Sequence, residues 1–106
     1  MYFIWDPAKD QANQRKHGIS FMTAAEVFQD PELVSRQDRE VEGEVRWQTV
    51  GRIHGLVIVL VAHTAEDDDR GDQLVRIISA RKATPRERRD YEQAHDKENR
   101  GTRRPV

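Results

Sequence analysis

The sequence has no cysteine among its 106 residues. That absence excludes disulfide bonds, thiolate zinc sites and cysteine nucleophiles, and it fits a reducing compartment such as the cytoplasm. The longest apolar run, Leu56 to Ala62, has the length of a strand and falls far short of the ~20 residues that cross a bilayer. The sequence shows neither a signal-peptide pattern nor a glycine-rich nucleotide loop. We therefore expect a cytoplasmic protein with no membrane segment and no cofactor.

The charged residues are unevenly divided along the chain, although the net charge is only −1. Residues 1–80 hold 9 Lys/Arg against 14 Asp/Glu, a balance of −5, whereas residues 81–106 hold 9 against 5, a balance of +4. A basic later part favours an acidic partner. The length predicts a single domain, which we place over residues 1–98, followed by a flexible basic tail over residues 99–106.

The first third of the sequence predicts one strand and two helices. Residues 2–5 are β-prone, and Asp6-Pro7 is typical of a helix start. The first helix should end at Gly18, which tolerates the left-handed C′ position. Ser20 should cap a second helix with an apolar stripe, and Asp30-Pro31 should end it.

The rest of the sequence predicts four strands and a third helix. A weak β-run covers residues 33–39, and stronger runs cover residues 44–52, 56–62 and 74–82. The second and third of these runs are joined by a tight turn at His54-Gly55, and the last two by an acidic hairpin loop. Thr84 and Glu87 form a capping box that opens the last helix, which should end before Asn99. The predicted class is α+β, in the order β-α-α-β-β-β-β-α, with a mostly antiparallel sheet and two helices on one face.

Two short basic segments stand out as candidates for phosphate chemistry. Lys16 and His17 lie at a predicted helix C-terminus, where the helix dipole favours cations, and an imidazole can give or take a proton near neutral pH. Their alternative role is only to complement that dipole. Arg76, Arg81 and Lys82 lie on the last predicted strand, and arginine offers a planar fork for phosphate oxygens.

Strand geometry limits how these cations can combine. A regular period of two puts Arg76 and Lys82 on one face of the last strand and Arg81 on the other. Only a bulge would bring Arg76 and Arg81 to the same face. Arg46 on an earlier strand is a further candidate and Arg52 a weaker one, and the alternative for each arginine is pairing with a carboxylate such as Glu44.

Several separated segments resemble the BrnT family of toxins. They include Phe3-Ile4-Trp5-Asp6, Lys16-His17-Gly18-Ile19-Ser20-Phe21, Gly43-Glu44-Val45-Arg46 and Arg76-Ile77-Ile78-Ser79-Ala80-Arg81-Lys82-Ala83. Lys9, Asn13, Ala25, Val27-Phe28-Gln29-Asp30, Glu87-Arg88 and Tyr91 agree at familiar spacing. The resemblance covers roughly residues 3–91.

The resemblance implies a RelE-like ribonuclease fold and the toxin role of a type II toxin–antitoxin system. Such toxins cut RNA without a metal and halt translation. It also implies a cognate antitoxin, BrnA-like and of the ribbon-helix-helix class, that forms a hetero-oligomer with the toxin and mediates any contact with operator DNA.

The site residues follow from the same resemblance. His17 is assigned to proton transfer, Arg46 and Arg81 to stabilising charge on the phosphorane, and Lys16 and Arg76 to holding the RNA backbone. Glu44 is the alternative base, and Lys82 and Arg52 are further candidates for RNA binding. The smallest combination is His17 with Arg46 and either Arg76 or Arg81.

Two other classes of function compete with this one. The same cationic residues could form a non-catalytic module that grips an antitoxin or nucleic acid. A metal hydrolase could instead be built on His63 and the acidic loop, although a metal-dependent nuclease needs clustered carboxylates and the sequence has none outside that loop.

Overall fold

A computed structural model describes the backbone of residues 1–102 and the side chains of residues 1–94. The chain folds as an α+β protein with a five-stranded, mostly antiparallel sheet, as predicted. The strands are β1 (Tyr2–Ile4), β2 (Val34–Val41), β3 (Glu44–Ile53), β4 (Val57–Asp67) and β5 (Gln73–Lys82). The helices are α1 (Pro7–His17), α2 (Phe21–Ala24) and α3 (Pro85–Thr102), with a 3-10 helix over Ala25–Gln29.

The predicted helix starts and turns are present in the structure. Asp6 caps α1 by accepting a hydrogen bond from the backbone N–H of Ala8, and Gly18 ends it in the left-handed conformation. Ser20 caps α2 through the N–H of Thr23. At α3 the predicted capping box forms in both directions, because Thr84 and Glu87 each accept the other's N–H.

Several predicted boundaries were wrong. The second helix keeps α-geometry for only four residues and tightens into the 3-10 helix, a common ending for a short helix. Strand β4 runs on to Asp67, so the acidic loop is shorter than expected. Helix α3 continues to Thr102 instead of stopping before Asn99, and residues 103–106 of the predicted tail lie outside the described residues.

The strands lie in the order β1-β5-β4-β3-β2, so β4 is central, as its apolar sequence predicted. Among the described strands, β1 alone runs parallel to its neighbour. One face of the sheet, here called the back face, packs against α2 and the 3-10 helix, whereas α1 contacts β5 through Asn13. The buried cluster consists of Ile19, Phe21, Ala24, Val27, Ile53, Val59, Val61, Val75, Ile77 and Ala80.

Helix α3 crosses part of the opposite face, here called the front face. Its Tyr91 is only 2% exposed and donates a hydrogen bond of 2.6 Å to Asp30, while the guanidinium of Arg52 lies over its ring. Burial raises the pKa of Tyr91 to about 12, and Asp30 adds to that rise. The rest of the front face, around Arg76 and Arg46, has no helix over it in the described part of the chain. None of the described helices is both long and apolar enough to span a membrane.

Candidate functional site

A bulge in β5 decides which basic side chains share a face. Ala62 is paired with Ser79 and the next residue of β4, His63, with Ile77, so Ile78 is an extra residue in β5. A bulge of this kind reverses the alternation beyond it. Arg76 and Arg81 pair with Thr64 and with Leu60, two positions of one β4 face. Both arginines therefore lie on the front face, brought there by a bulge of the kind that the prediction from sequence required for it.

The same bulge removes Lys82 from this group. Lys82 pairs with Val59, whose side chain belongs to the buried cluster of the back face. Directly paired residues point to the same side of a sheet. Lys82 is therefore on the opposite side from Arg76, which corrects the regular alternation predicted for β5.

A carboxylate flanked by two arginines lies on the uncovered part of the front face, at the start of β3. Glu44 Oε1 is paired with Arg76 Nη2 across the sheet and lies 3.5 Å from Arg46 Nη2 on its own strand. The three side chains remain accessible, with exposed fractions of 43% for Glu44, 35% for Arg76 and 25% for Arg46. We call these residues the Arg46–Glu44–Arg76 cluster.

The cluster has a buried floor and unused hydrogen-bonding capacity. Thr64 pairs with Arg76 and is only 7% exposed. The Nε of Arg46 is buried and has no hydrogen-bond partner among the described residues. A buried donor without a partner costs free energy, so this N–H of Arg46 gains an acceptor only if the side chain moves.

Arg81 is already engaged by a carboxylate. Its Nη1 and Nη2 donate to the two oxygens of Glu87 at 2.7 and 3.0 Å. This fork holds the pKa of Glu87 down at about 2, with the capping bond from Thr84 helping, and it raises the pKa of Arg81. Arg81 therefore joins β5 to the first turn of α3.

His17 and Lys16 lie apart from the arginines. They end α1, as predicted, with Lys16 exposed and His17 half-buried. Within the described residues no hydrogen bond or ion pair joins either of them to the Arg46–Glu44–Arg76 cluster. Arg52 lies over Tyr91. The sequence predicted a site of His17 with Arg46 and either Arg76 or Arg81. Of these residues, the structure brings Arg46 and Arg76 together.

One cation of the front face was missed by sequence reasoning. Arg36 on β2 pairs with Gln48, and its guanidinium lies 3.3–3.4 Å from the Gln48 side-chain oxygen. Gln48 in turn pairs with Ala62 on the front side of β4. Arg36 stands in the weakest predicted strand, and only the register of that strand with β3 could have placed it here.

His63 is a buried structural residue. It lies on the back face of β4, is 4% exposed, and bonds through Nε2 to the Thr49 hydroxyl at 2.7 Å. Among the described residues no group of three or more His, Asp or Glu side chains is placed to hold a metal ion.

Comparison with known proteins identifies the family to which this chain belongs. Residues 5–87 match the model of a family described as the ribonuclease toxin, BrnT, of type II toxin–antitoxin systems. That match spans most of the chain, so the chain belongs to the BrnT family. The family is one of ribonuclease toxins that are paired with an antitoxin and take RNA as substrate.

A solved structure agrees with this family. The crystal structure of the Brucella abortus ribonuclease toxin BrnT matches with a TM-score of 0.57 and 28% identity, over 79% of this chain and 97% of that one. No curated protein sequence matches the chain significantly.

Proposed function

We propose that this protein is a metal-independent endoribonuclease of RelE-like fold that cleaves RNA by attack of a ribose 2′-hydroxyl on its own phosphate. In this reaction the bond from O2′ to phosphorus forms, the bond from phosphorus to O5′ breaks, and the products are a 2′,3′-cyclic phosphate and a 5′-hydroxyl. A base must take the 2′ proton, an acid must give one to O5′, and cations must balance the charge that develops on the phosphorane.

The Arg46–Glu44–Arg76 cluster is the observation that supports this proposal best. Both guanidinium groups now point at one carboxylate oxygen, on an accessible part of the sheet. A phosphate would compete with Glu44 for the same donors and leave that carboxylate next to the attacking sugar. We therefore favour Glu44 as the base, with Arg46 and Arg76 as the charge-stabilising groups.

The remaining predicted residues take subsidiary roles. His17 stays a candidate for the acid that protonates O5′, and Lys16 for a contact to the RNA backbone. Arg81 can act on the phosphate through the guanidinium N–H groups that Glu87 does not use. Arg52 and Lys82 are candidates for contacts with more distant phosphates.

The central test is RNA cleavage by the purified protein in excess chelator. Cleavage should persist, and Arg46→Ala, Arg76→Ala and Glu44→Gln should each lower its rate by about 10² or more. Arg70→Ala, an exposed arginine in the acidic loop, is the matched control and should cleave normally. Activity that returns only with added metal would contradict the mechanism, and intact RNA in all conditions would favour a non-catalytic binding module.

Two variants separate the roles of the other residues. His17→Ala should lower cleavage of an ordinary RNA but leave cleavage nearly unchanged when the 5′ leaving group needs no protonation, as with a nitrophenyl ester. Arg81→Ala should lower cleavage while Glu87→Gln does not, if Arg81 contacts phosphate. Equal losses in both variants would mean that Arg81 acts only by anchoring α3.

The cellular part of the proposal is that cleavage halts translation in the cytoplasm and that a ribbon-helix-helix antitoxin, BrnA-like, neutralises it. Added to a cell-free translation reaction, the protein should stop synthesis, and the product of a neighbouring small reading frame should restore it. That product should also co-purify with the toxin, and the complex should bind operator DNA only through the antitoxin.

A further inference from the structure

The front face does not end at the arginines but continues onto the edge strand β1. In the parallel pairing of β1 with β5, Tyr2 lies beside Leu74 and Ile4 lies beside Arg76. Paired residues share a face, so Tyr2 and Ile4 belong to the same face as the Arg46–Glu44–Arg76 cluster. Neighbouring strands are about 4.8 Å apart, which makes Ile4 a direct neighbour of Arg76.

These two apolar side chains are exposed although their neighbours along β1 are not. Tyr2 is 53% and Ile4 45% exposed. Phe3 and Trp5, on the alternate side, pack against the rings of Phe28 and Phe21 in the back-face core. Phe3 and Trp5 therefore join this segment to the back-face core, while Tyr2 and Ile4 stay about half exposed.

We infer that Tyr2 and Ile4 form a stacking ledge for one unpaired base of the RNA whose phosphate is bound by Arg76. This inference rests on the proposed function. An aromatic ring beside a cationic track is the usual arrangement by which proteins bind single-stranded nucleic acid, since every base has a face that can stack. Ile4 supports the same base from the side nearest Arg76.

The cations at the Ile4 end of the ledge favour RNA over a protein as its occupant, whereas at the Tyr2 end Leu74 pairs with Glu66. Arg76 borders the ledge directly, and Arg46 follows across the sheet. A base stacked on Tyr2 is joined by its own sugar to a phosphate within reach of Arg76, so one nucleotide can use both contacts. An antitoxin segment seated here would instead need an acidic group matched to the arginines beside an apolar one.

The test measures binding, so that it does not depend on cleavage. A fluorescent single-stranded 2′-O-methyl oligonucleotide, which has no free 2′-hydroxyl to attack, is titrated with wild-type protein and with Tyr2→Ala, Tyr2→Trp and Leu56→Ala. We expect Tyr2→Ala to weaken binding at least about fivefold, and Tyr2→Trp to keep it and to show tryptophan quenching beyond that of the wild-type protein. Leu56→Ala, a change of an 85% exposed residue in the β3–β4 turn, should bind normally.

A series of abasic oligonucleotides identifies stacking itself. With the base removed at one position, wild type and Tyr2→Ala should bind equally, whereas abasic positions elsewhere should leave the difference between them intact. Unchanged binding by a folded Tyr2→Ala protein would overturn the inference, and so would a loss that persists at every abasic position. Weakened binding to the antitoxin alone would identify the ledge as a protein-docking surface.

The outcome can be separated from that of the proposed function. If Arg46→Ala and Arg76→Ala cleave normally, the catalytic proposal fails whatever Tyr2 does. If those variants lose cleavage and Tyr2→Ala binds the oligonucleotide normally, only the ledge is wrong.

Discussion

Hydrogen bonds and burial together set the tautomer and the charge of the His63 ring. Its Nδ1 lies 3.0 Å from the carbonyl oxygen of Thr64, which can only accept, so Nδ1 carries the proton. Nε2 of the neutral ring then accepts from the Thr49 hydroxyl, which itself accepts from Ser35 at 2.6 Å. The ring also packs edge-on against Phe28, and burial lowers its pKa against the opposing effect of the Thr64 bond.

This burial predicts acid-sensitive stability. The unfolded chain binds a proton at His63 below pH 6.5, the ordinary value, whereas the folded protein does so only at lower pH. The free energy of unfolding should therefore fall as the pH drops below about 6.5, until the folded pKa is reached. Urea unfolding measured between pH 7.5 and 5 should show this slope.

Two histidine variants isolate the effect. His63→Gln should be less stable at neutral pH but should show a flatter pH dependence. His54→Gln, at a 71% exposed position where Nε2 lies 3.2 Å from a Glu26 oxygen, measures how much of the slope comes from that surface pair. A slope that survives in His63→Gln would assign the acid sensitivity to another group.

Asn13 stabilises the edge of a whole strand, β5. Strand β1 ends at Ile4, beside Arg76, so the edge of β5 has no strand partner beyond that point. The Asn13 carboxamide bonds to the N–H and the C=O of Ala80 and also to the C=O of Ile19. It therefore takes the place of a neighbouring strand and joins α1 to the edge of β5.

Removing that carboxamide should destabilise the protein. Asn13→Ala leaves three backbone groups without their partner, each of which costs about 1–3 kcal/mol when buried, so we expect a loss of at least about 2 kcal/mol in urea unfolding. Asn13→Asp should also destabilise, because it lacks the two N–H donors. Gln14→Ala, an exposed neighbour, should change stability by less than about 0.5 kcal/mol. A similar small effect for Asn13→Ala would show that water replaces the side chain.

The junction of β5 with α3 depends on the charge of Glu87. Glu87→Gln breaks the fork with Arg81 and weakens the capping box, so a loss of about 1 kcal/mol is expected at pH 7. The carboxylate has its pKa lowered from 4.5 to about 2. Its contribution is therefore complete above pH 4.5 and disappears as the pH falls towards 2.

The measurement is the difference in unfolding free energy between wild type and Glu87→Gln across that range. The difference should shrink on acidification. Glu92→Gln, at an exposed position of the same helix, should differ little from wild type at any pH. A difference that stays constant down to pH 2 would mean that the amide is disruptive for reasons other than charge.

The same elements show which features could be predicted from the sequence and which could not. Helix caps and tight turns depend on residues that are neighbours in the sequence. The caps at Asp6, Ser20 and Thr84 and the turn at His54-Gly55 could therefore be predicted. The bulge at Ile78 carries no glycine or other local signal, and it reversed the predicted faces of Arg81 and Lys82. The pairing of Arg76 with Glu44, 32 residues away, depends on the register of three strands, so sequence could only offer it as an alternative.

For the molecule as a whole, the proposed chemistry lies on the part of the front face that α3 does not cover, while the main buried cluster lies on the back face. The back face holds the buried cluster, while the front face holds the Arg46–Glu44–Arg76 cluster over a floor of Thr64. Substitutions of the half-buried front-face cations therefore remove charge and leave the buried cluster of the back face intact. This separation is why the cleavage variants can be interpreted as effects on chemistry, once their melting temperatures are shown to be normal.

Helix α3 is held by two anchors, Glu87 and Tyr91, and then continues to Thr102. Deleting residues 99–106 removes neither anchor, so the melting temperature should stay within about 2 °C of the full chain. Ending the chain at residue 90 removes Tyr91 as well, and losing a large buried aromatic costs about 3–5 kcal/mol. For a domain of this size that corresponds to a fall of more than 10 °C in calorimetry. A comparable fall in the shorter deletion would place a third anchor beyond residue 98 and would contradict the domain limit predicted from the sequence.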